Sequence, residues 1–455
     1  MITTRKRIWG WYFFDWASQP YNTLLITFIF APFMKDLLGT GSAAQTVWGY
    51  GVGLAGLVIA LASPFLGAIA DKAGRRIPFI WLFSLMYFGG AWGLWYAVPG
   101  DYSLLFIMTS FAIGMIGMEF ATTFTNAMLP DLAPRDEIGK VSGSGWAFGY
   151  IGGMLALIVM LGFLQISPTS GKTMIGLPPL FGLDLAARED TRVVGPLVAV
   201  WYAVFMVPFF LWVREPRHPD AVSVPAAARV AWPELKQTLR ALPRKRSLFA
   251  YLLSSMFYRD ALNGIYTFGG IYAAGVLNWS LMQIGIFGIL GTITGALFAW
   301  LGGKADDRFG PKPVIIFNVI LLTAVVVGVV FISRSAVFGM SVGADSSLPD
   351  LAFYAMGGLI GAGGGALQSA SRTMLVRQAD PDKITEHFGL YALSGKATAF
   401  IAPLSIGVMT QLTGNQSIGI TPIIVLFVLG LVLLGWVNGK GQTQPQNAPT
   451  DESLA

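Results

Sequence analysis

The chain has 455 residues, of which 54% are hydrophobic and 12% charged, with a mean hydropathy of +0.63 and a net charge of +6. Soluble domains carry about 25% charged residues, so this chain has too little polar surface to cover a water-soluble globule and must present apolar surface to lipid. The absence of cysteine excludes disulfides and thiol chemistry, and two histidines, His218 and His387, are too few for a His-rich metal site.

Arg5, Lys6 and Arg7 precede an apolar run, as in a signal peptide, but the run contains Asp15 and continues past Phe33. That is too long for a cleavable hydrophobic region and reads as a retained first transmembrane span. A helix needs roughly 20 mainly apolar residues to cross a bilayer. Twelve such stretches follow one another: about 8–34, 46–70, 78–98, 103–128, 141–165, 193–213, 248–273, 281–302, 313–333, 350–374, 387–412 and 418–437. The 55 glycines fall mostly inside them, which suits close helix packing in lipid.

Lysine and arginine set the orientation. With the N-terminus placed in the cytoplasm, 23 of the 30 basic residues fall on cytoplasmic segments and 5 on outer loops, while Arg259 and Lys396 lie within spans. Both termini are therefore expected inside, and the basic balance needs no nucleic acid. This count takes Arg372, near the end of span ten, together with the cytoplasmic loop that follows. The longest charged stretch, 214–247, divides the chain into a six-span bundle over 1–213 and another over 248–438. Residues 439–455 are polar and expected to be disordered.

The two halves repeat. Gly67, Asp71, Lys72 and Gly74 after span two match Gly303, Asp307, Arg308 and Gly310 after span eight at an offset of 236. After spans four and ten, Leu129, Ala133, Asp136, Ile138, Gly143 and Gly149 match Leu375, Ala379, Asp382, Ile384, Gly389 and Gly395 at an offset of 246, the ten extra residues fitting a longer outer loop near 334–348. Repeats of this kind mark secondary transporters, whose sites lie at the repeat interface.

The Gly67-x-x-x-Asp71-Lys72-x-Gly74-Arg75-Arg76 loop, with its weaker copy, resembles the signature loop of the major facilitator superfamily. Tyr12-Phe-Phe-Asp15-Trp16, Leu129-Pro130-Asp131-Leu132, Gly145-Trp146-Ala-Phe-Gly149-Tyr150, Gln368-Ser-Ala-Ser-Arg372 and Glu386-His-Phe388-Gly389-Leu-Tyr391 through Gly395-Lys396 resemble the vacuole-effluxer-like family, in its bacterial branch. The resemblance implies an all-α fold of two six-helix bundles, a monomer working on a small-molecule substrate within the bilayer, and a central cavity lined by spans one, four, seven and ten. It associates fungal members with amino-acid efflux. It also implies that Asp71, Arg75, Arg76 and Asp307 form a cytoplasmic gate favouring the outward-open state, against the simpler reading of Arg75 and Arg76 as topology signals.

Charged side chains inside a membrane are costly and mark functional candidates. Five stand out: Asp15, Glu119, Arg259, Asp260 and Lys396. Asp15 and Glu119 lie roughly 12 Å from the cytoplasmic ends of their spans, Lys396 roughly 14 Å and Asp260 roughly 18 Å. Three belong to polar stripes at helical spacing: Asp15, Gln19 and Asn22; Glu119, Thr122, Thr123 and Asn126; and Asp260, Asn263 and Thr267. Such stripes cannot face lipid. Span ten offers Gly361, Gly364, Gly365 and Gln368 along one face.

Arg259 or Lys396 is suited to an anionic group, Arg as a planar fork and Lys as a point charge. Glu119 or Asp260 is suited to proton exchange. The competing reading is that these charges only pair with one another. Trp146, Tyr150, Tyr258, Tyr266 and Tyr391 are candidates for the cavity lining, with core or lipid-facing roles open. Gly149-Tyr150-Ile-Gly152-Gly153 differs from the antiporter motif of proton-driven exporters in lacking its proline and reads as a packing surface.

The leading expectation is therefore an alternating-access transporter of a small polar or zwitterionic metabolite, amino acids first. It needs no cofactor, with proton coupling as the driving step. Export of a lipophilic drug or lipid-like compound is the alternative. No nucleotide loop or nucleophile–histidine arrangement points to an enzyme.

Overall fold

A computed structural model describes residues 4–39, 41–134, 136–167, 171–215, 221–279, 281–343 and 345–441; His218 and the tail from 442 lie outside the described residues. The fold is all-α apart from a small three-stranded antiparallel sheet (Ile332–Ser333, Ala336–Val337, Met340–Ser341) in the long loop after span nine.

Among the described residues, nine helices are long and apolar enough to cross a membrane, from Val47–Ala73 to Gln416–Leu434. The three further predicted spans are helical over Thr4–Pro20, Arg246–Val276 and Leu348–Gln378. Spans one, seven and ten are thus the less apolar members. All three carry charged or polar residues that neighbouring helices shield from lipid.

Several spans are interrupted, among them span five, which turns π-helical over Met160–Leu164, and span six, which breaks at Met206. Span one carries Pro20, which has no N–H to donate, and passes into a π-helical stretch over Tyr21–Phe28 before resuming at Phe30–Leu38. Span eleven is split into Ile384–Ala397 and Ile401–Thr413. The segment between the halves contains a helix, Val224–Ala241, whose Ala227 and Ala231 pack beside Ala68 and Ala73 of span two.

One large apolar core is built from Trp11 to Val213 and a second chiefly from Leu235 to Val437. Arg7 donates to the carbonyl of Arg214, so the N-terminal end of span one lies beside the start of the 214–247 segment; we call this the linker end.

Contacts joining the halves gather toward the linker end and follow the repeat. A Cβ at Gly67 would lie 2.5 Å from the Thr385 carbonyl oxygen, and one at its repeat mate Gly303 would lie 2.5 Å from that of Gly139. Spans two and eleven, and spans five and eight, therefore meet backbone to backbone, an approach that only small residues allow. Gly74 and Gly310 take φ of +59° and +85° and end spans two and eight, so the second motif glycine supplies the left-handed turn that stops each helix.

A mixed-charge cavity between the halves as candidate site

The cavity between the halves is lined from six spans. Span one contributes Asp15, Gln19 and Asn22, and span four Glu119, Thr122, Thr123 and Asn126. Span five contributes Trp146, span seven Tyr258, Arg259 and Asn263, span ten Gln368 and Arg372, and span eleven Tyr391 and Lys396. The polar stripes of spans one and four face it over their whole predicted length, because every fourth or third residue of a helix returns to one face.

At its floor lies Arg372, 4% exposed. Its guanidinium donates to Asp15 Oδ2 at 3.3 and 3.4 Å, to Asn126 Oδ1 at 2.8 Å, and to Ser142 through both the hydroxyl and the carbonyl at 3.0 Å. Trp11 and Trp146 cover it, with ring centroids 4.8 and 5.4 Å away. One side chain of the second half thus holds spans one, four and five of the first, using the fixed fork of donors that only arginine has. The sequence reading ends span ten near residue 374 and counts Arg372 with the loop that follows, whereas the helix continues to Gln378 and holds Arg372 well inside it. The signal was present, since Arg372 follows Gln368 by one helical turn and matches Asn126 at the 246 offset.

Higher on the wall, Lys396 Nζ donates to Glu119 Oε1 at 2.7 Å, a second pair across the halves, with both side chains about a quarter exposed. Arg259 has different company. It donates to the Tyr391 carbonyl at 2.9 Å and lies 3.9 Å over that ring. Gly395 leaves the room, since a Cβ there would lie 2.7 Å from the guanidinium. Among the described residues Arg259 has no carboxylate partner.

The adjacent Asp260 does not supply one. It is 1% exposed, points away from the cavity, and its Oδ2 accepts the Ala402 N–H at 3.0 Å. It thereby caps the helix that restarts span eleven at Ile401. The predicted stripe on span seven splits: Asn263 lines the cavity, Asp260 and Thr267 do not. Likewise Trp146, Tyr258 and Tyr391 line it, whereas the Tyr150 hydroxyl is tied to Gln368 Nε2 at 2.8 Å and Tyr266 fills the space left by Gly364. Gly361 and Gly365 pack against the Gly291 and Gly295 carbonyls of span eight instead of facing the cavity.

Below the floor, Asp71 accepts the backbone N–H groups of Thr385 and Glu386 at 3.1 and 2.8 Å, the first turn of span eleven. Asp307 accepts that of Lys140 at 3.0 Å and that of Gly139, the first turn of span five. Thr385 and Glu386 lie 246 residues beyond Gly139 and Lys140, so the two contacts are one contact repeated. Each places a carboxylate at the positive end of a helix in the other half.

Arg76 is buried, donates to Thr385 Oγ1 at 2.8 Å and to Asp131 at 2.9 Å, and lies 3.7 Å from Asp71. Glu215 accepts the Arg76 and Ile77 N–H groups at the start of span three. Burial pushes its carboxyl up, against those two donors and the Arg76 charge. Arg75 is exposed and makes no ion pair among the described residues, which favours its reading as a topology signal.

A family profile described as "Vacuole effluxer Atg22 like" matches residues 35–446. The chain belongs to this family. It is 25% identical to an MFS-type transporter, YxiO, of Bacillus subtilis over 98% of both chains. It is also 25% identical to autophagy-related protein 22 of Cryptococcus neoformans, over 66% of this chain and 50% of that one. Among solved structures, the proton:xylose symporter XylE has the same fold, with a TM-score of 0.69, 12% identity and 95% of each chain covered. The protein is therefore an integral-membrane transporter of the major facilitator superfamily and not an enzyme. The Asp71 and Asp307 contacts join the two halves, and the mixed-charge cavity lies above them.

Proposed function

We propose that this transporter moves small zwitterionic metabolites, amino acids first, by alternating access coupled to protons. It would do so in a bacterial plasma membrane with the linker end cytoplasmic. In this state the linker end is closed by the paired Asp71 and Asp307 contacts, so the cavity would be loaded from the opposite side or emptied toward it.

The observation that carries the reading is the charge balance of the lining. Asp15 and Glu119 are matched by Arg372 and Lys396, which leaves the Arg259 guanidinium to a carbonyl and a ring. A substrate carboxylate would complete it with a bidentate, charge-assisted contact. The Glu119–Lys396 pair faces the same cavity, about a quarter exposed, and opens when a substrate ammonium or a proton competes for Glu119. The positive bias disfavours cationic drugs. The resemblance to vacuole effluxers and the mixed charge both support amino acids as cargo.

The test is flux of single amino acids into proteoliposomes under an imposed pH gradient. Flux that falls about tenfold or more in Arg259→Ala, and partly recovers in Arg259→Lys, is expected. Folded protein that moves no amino acid in either direction overturns the cargo, and unchanged flux in Arg259→Ala overturns the anchor.

A further inference from the structure

A second cavity, of about 580 Å3, lies on the outer flank of the seam and plays no part in the reading above. Trp9, Tyr12 and Phe148 of the first half and Ile293, Leu297 and Trp300 of the second form its walls. Trp9, Ile293, Leu297 and Trp300 are all exposed, so the groove opens on the face that lipid covers. Along span five it runs from Ser144 to Met154, a rise of about 15 Å. That is half of a hydrocarbon core of about 30 Å, the depth of one leaflet. It begins nearly two turns from the linker end of span five, which starts at Ile138, and Trp9 and Trp300 are of the type that anchors at an interface.

Lys304 stands one turn beyond Trp300. It is exposed, its Nζ lies 3.4 Å over the Trp300 ring, and it makes no ion pair among the described residues. Lys140 is exposed at the same end of span five. The groove therefore has an apolar length that matches one acyl chain and, where that chain's headgroup would lie, Lys304, a cation with no ion-pair partner among the described residues.

We propose that this groove is a binding site for an anionic glycerophospholipid of the linker-side leaflet. One acyl chain lies between spans five and eight and the phosphate headgroup sits on Lys304. A neutral or zwitterionic lipid fills the apolar part equally well, and the anionic headgroup supplies the preference. Since the walls come from both halves, the bound lipid ties them in the arrangement described above and opposes their separation at the linker end.

Native mass spectrometry of the full chain, titrated with phosphatidylglycerol or phosphatidylcholine of the same chains, tests this. Wild type is expected to retain phosphatidylglycerol at about fivefold lower concentration than phosphatidylcholine, the effect of one lysine at a membrane surface. Lys304→Gln is expected to bring the ratio to one, and Lys304→Arg to keep it. Ala296→Phe, which fills the groove, is expected to weaken retention of both lipids. Equal retention of the two lipids by wild type overturns the proposal, as does a preference unchanged in Lys304→Gln. Lys304 is exposed, so that variant folds even if Ala296→Phe does not.

Discussion

Arg372 of span ten donates to Asn126 of span four at 2.8 Å, and the two occupy the same position of the internal repeat, 246 residues apart. Equivalent positions of two related halves meet only near the axis that relates them, so this contact marks the centre of the seam. The repeat has diverged there into a donor and an acceptor. The same divergence extends to Gly149, which packs against Asp15 and is the repeat mate of the Gly395 that makes room for Arg259. One half offers an acid at this height and the other a base.

Removing Arg372 leaves Asp15 without its partner and Ser142 and Asn126 without their donor. Breaking a buried pair in this way costs about 3–5 kcal/mol, more than the pair itself contributes. Arg372→Ala is therefore expected to lower the thermal unfolding temperature in detergent strongly. Arg372→Lys should be intermediate, since one ammonium cannot reach four acceptors. The double variant Asp15→Asn, Arg372→Gln should be more stable than Arg372→Ala. A stability of Arg372→Ala equal to wild type would contradict the contact.

The Asp71 and Asp307 contacts are charges at helix N-termini, each worth up to about 2 kcal/mol where partly buried. Asp71→Asn keeps an acceptor but loses the charge, so it should shift the halves toward separation at the linker end, and Asp71→Ala should do so further. The absence of cysteine makes a labelling pair easy to install. Arg75 and Asp382 are both exposed on opposite sides of this contact. Spin labels there should report a longer-distance population that grows from wild type to Asp71→Asn to Asp71→Ala. The Arg75 substitution alone should leave flux unchanged.

Gly143 and Gly389 sit where a methyl group would overlap backbone, the carbonyls of Ala299 and Ser63 respectively. Neither carbonyl can swing aside as a side-chain end would. Overpacking of this kind costs about 1–3 kcal/mol. Gly143→Ala or Gly389→Ala should lower thermal stability and open the linker end in the same distance measurement. Gly53→Ala, which meets nothing within 4 Å, should do neither.

Glu119 and Lys396 present the opposite balance. Their pair is about a quarter exposed on each side and faces the cavity, so it is less costly to break than the buried Arg372 pair. Glu119→Gln should barely change the melting temperature yet remove the dependence of flux on the pH gradient. Proton-driven flux that survives Glu119→Gln would show that coupling lies elsewhere.

Much of this arrangement is legible in the sequence because membrane spans impose long-range regularities. Hydropathy marks the spans, lipid exclusion puts Asp15, Glu119 and Asn126 on inward faces, and the two offsets pair Asp71 with Asp307 before any coordinates are considered. What is hidden is direction within a face and what happens at span ends. Asp260 and Asn263 differ by about 60° around the helix, enough to put one in the cavity and the other against span eleven. Arg372 stands where an apolar stretch gives way to charge, so composition alone ends the span too early. The break between Ala397 and Ile401 does have a local signal, since Pro403 has no N–H for the carbonyl of Ala399, but an apolar stretch that runs on across it hides the break from hydropathy.

That cap makes the last prediction. Asp260 spans the break in span eleven: it belongs to span seven, and its Oδ2 holds the first turn of Ile401–Thr413, while Lys396 ends the preceding piece and reaches Glu119 of the other half. The outer piece of span eleven is thus positioned by the second half alone, and the inner piece by both. Losing a cap costs about 0.5–2 kcal/mol, and Asn caps about as well as Asp. Asp260→Asn should therefore keep near-wild-type stability, whereas Asp260→Ala should destabilise the fold and raise hydrogen–deuterium exchange in 398–413 more than in 384–397. If both variants behaved alike, charge and not capping would be what Asp260 contributes, and its place as a proton carrier would have to be reconsidered.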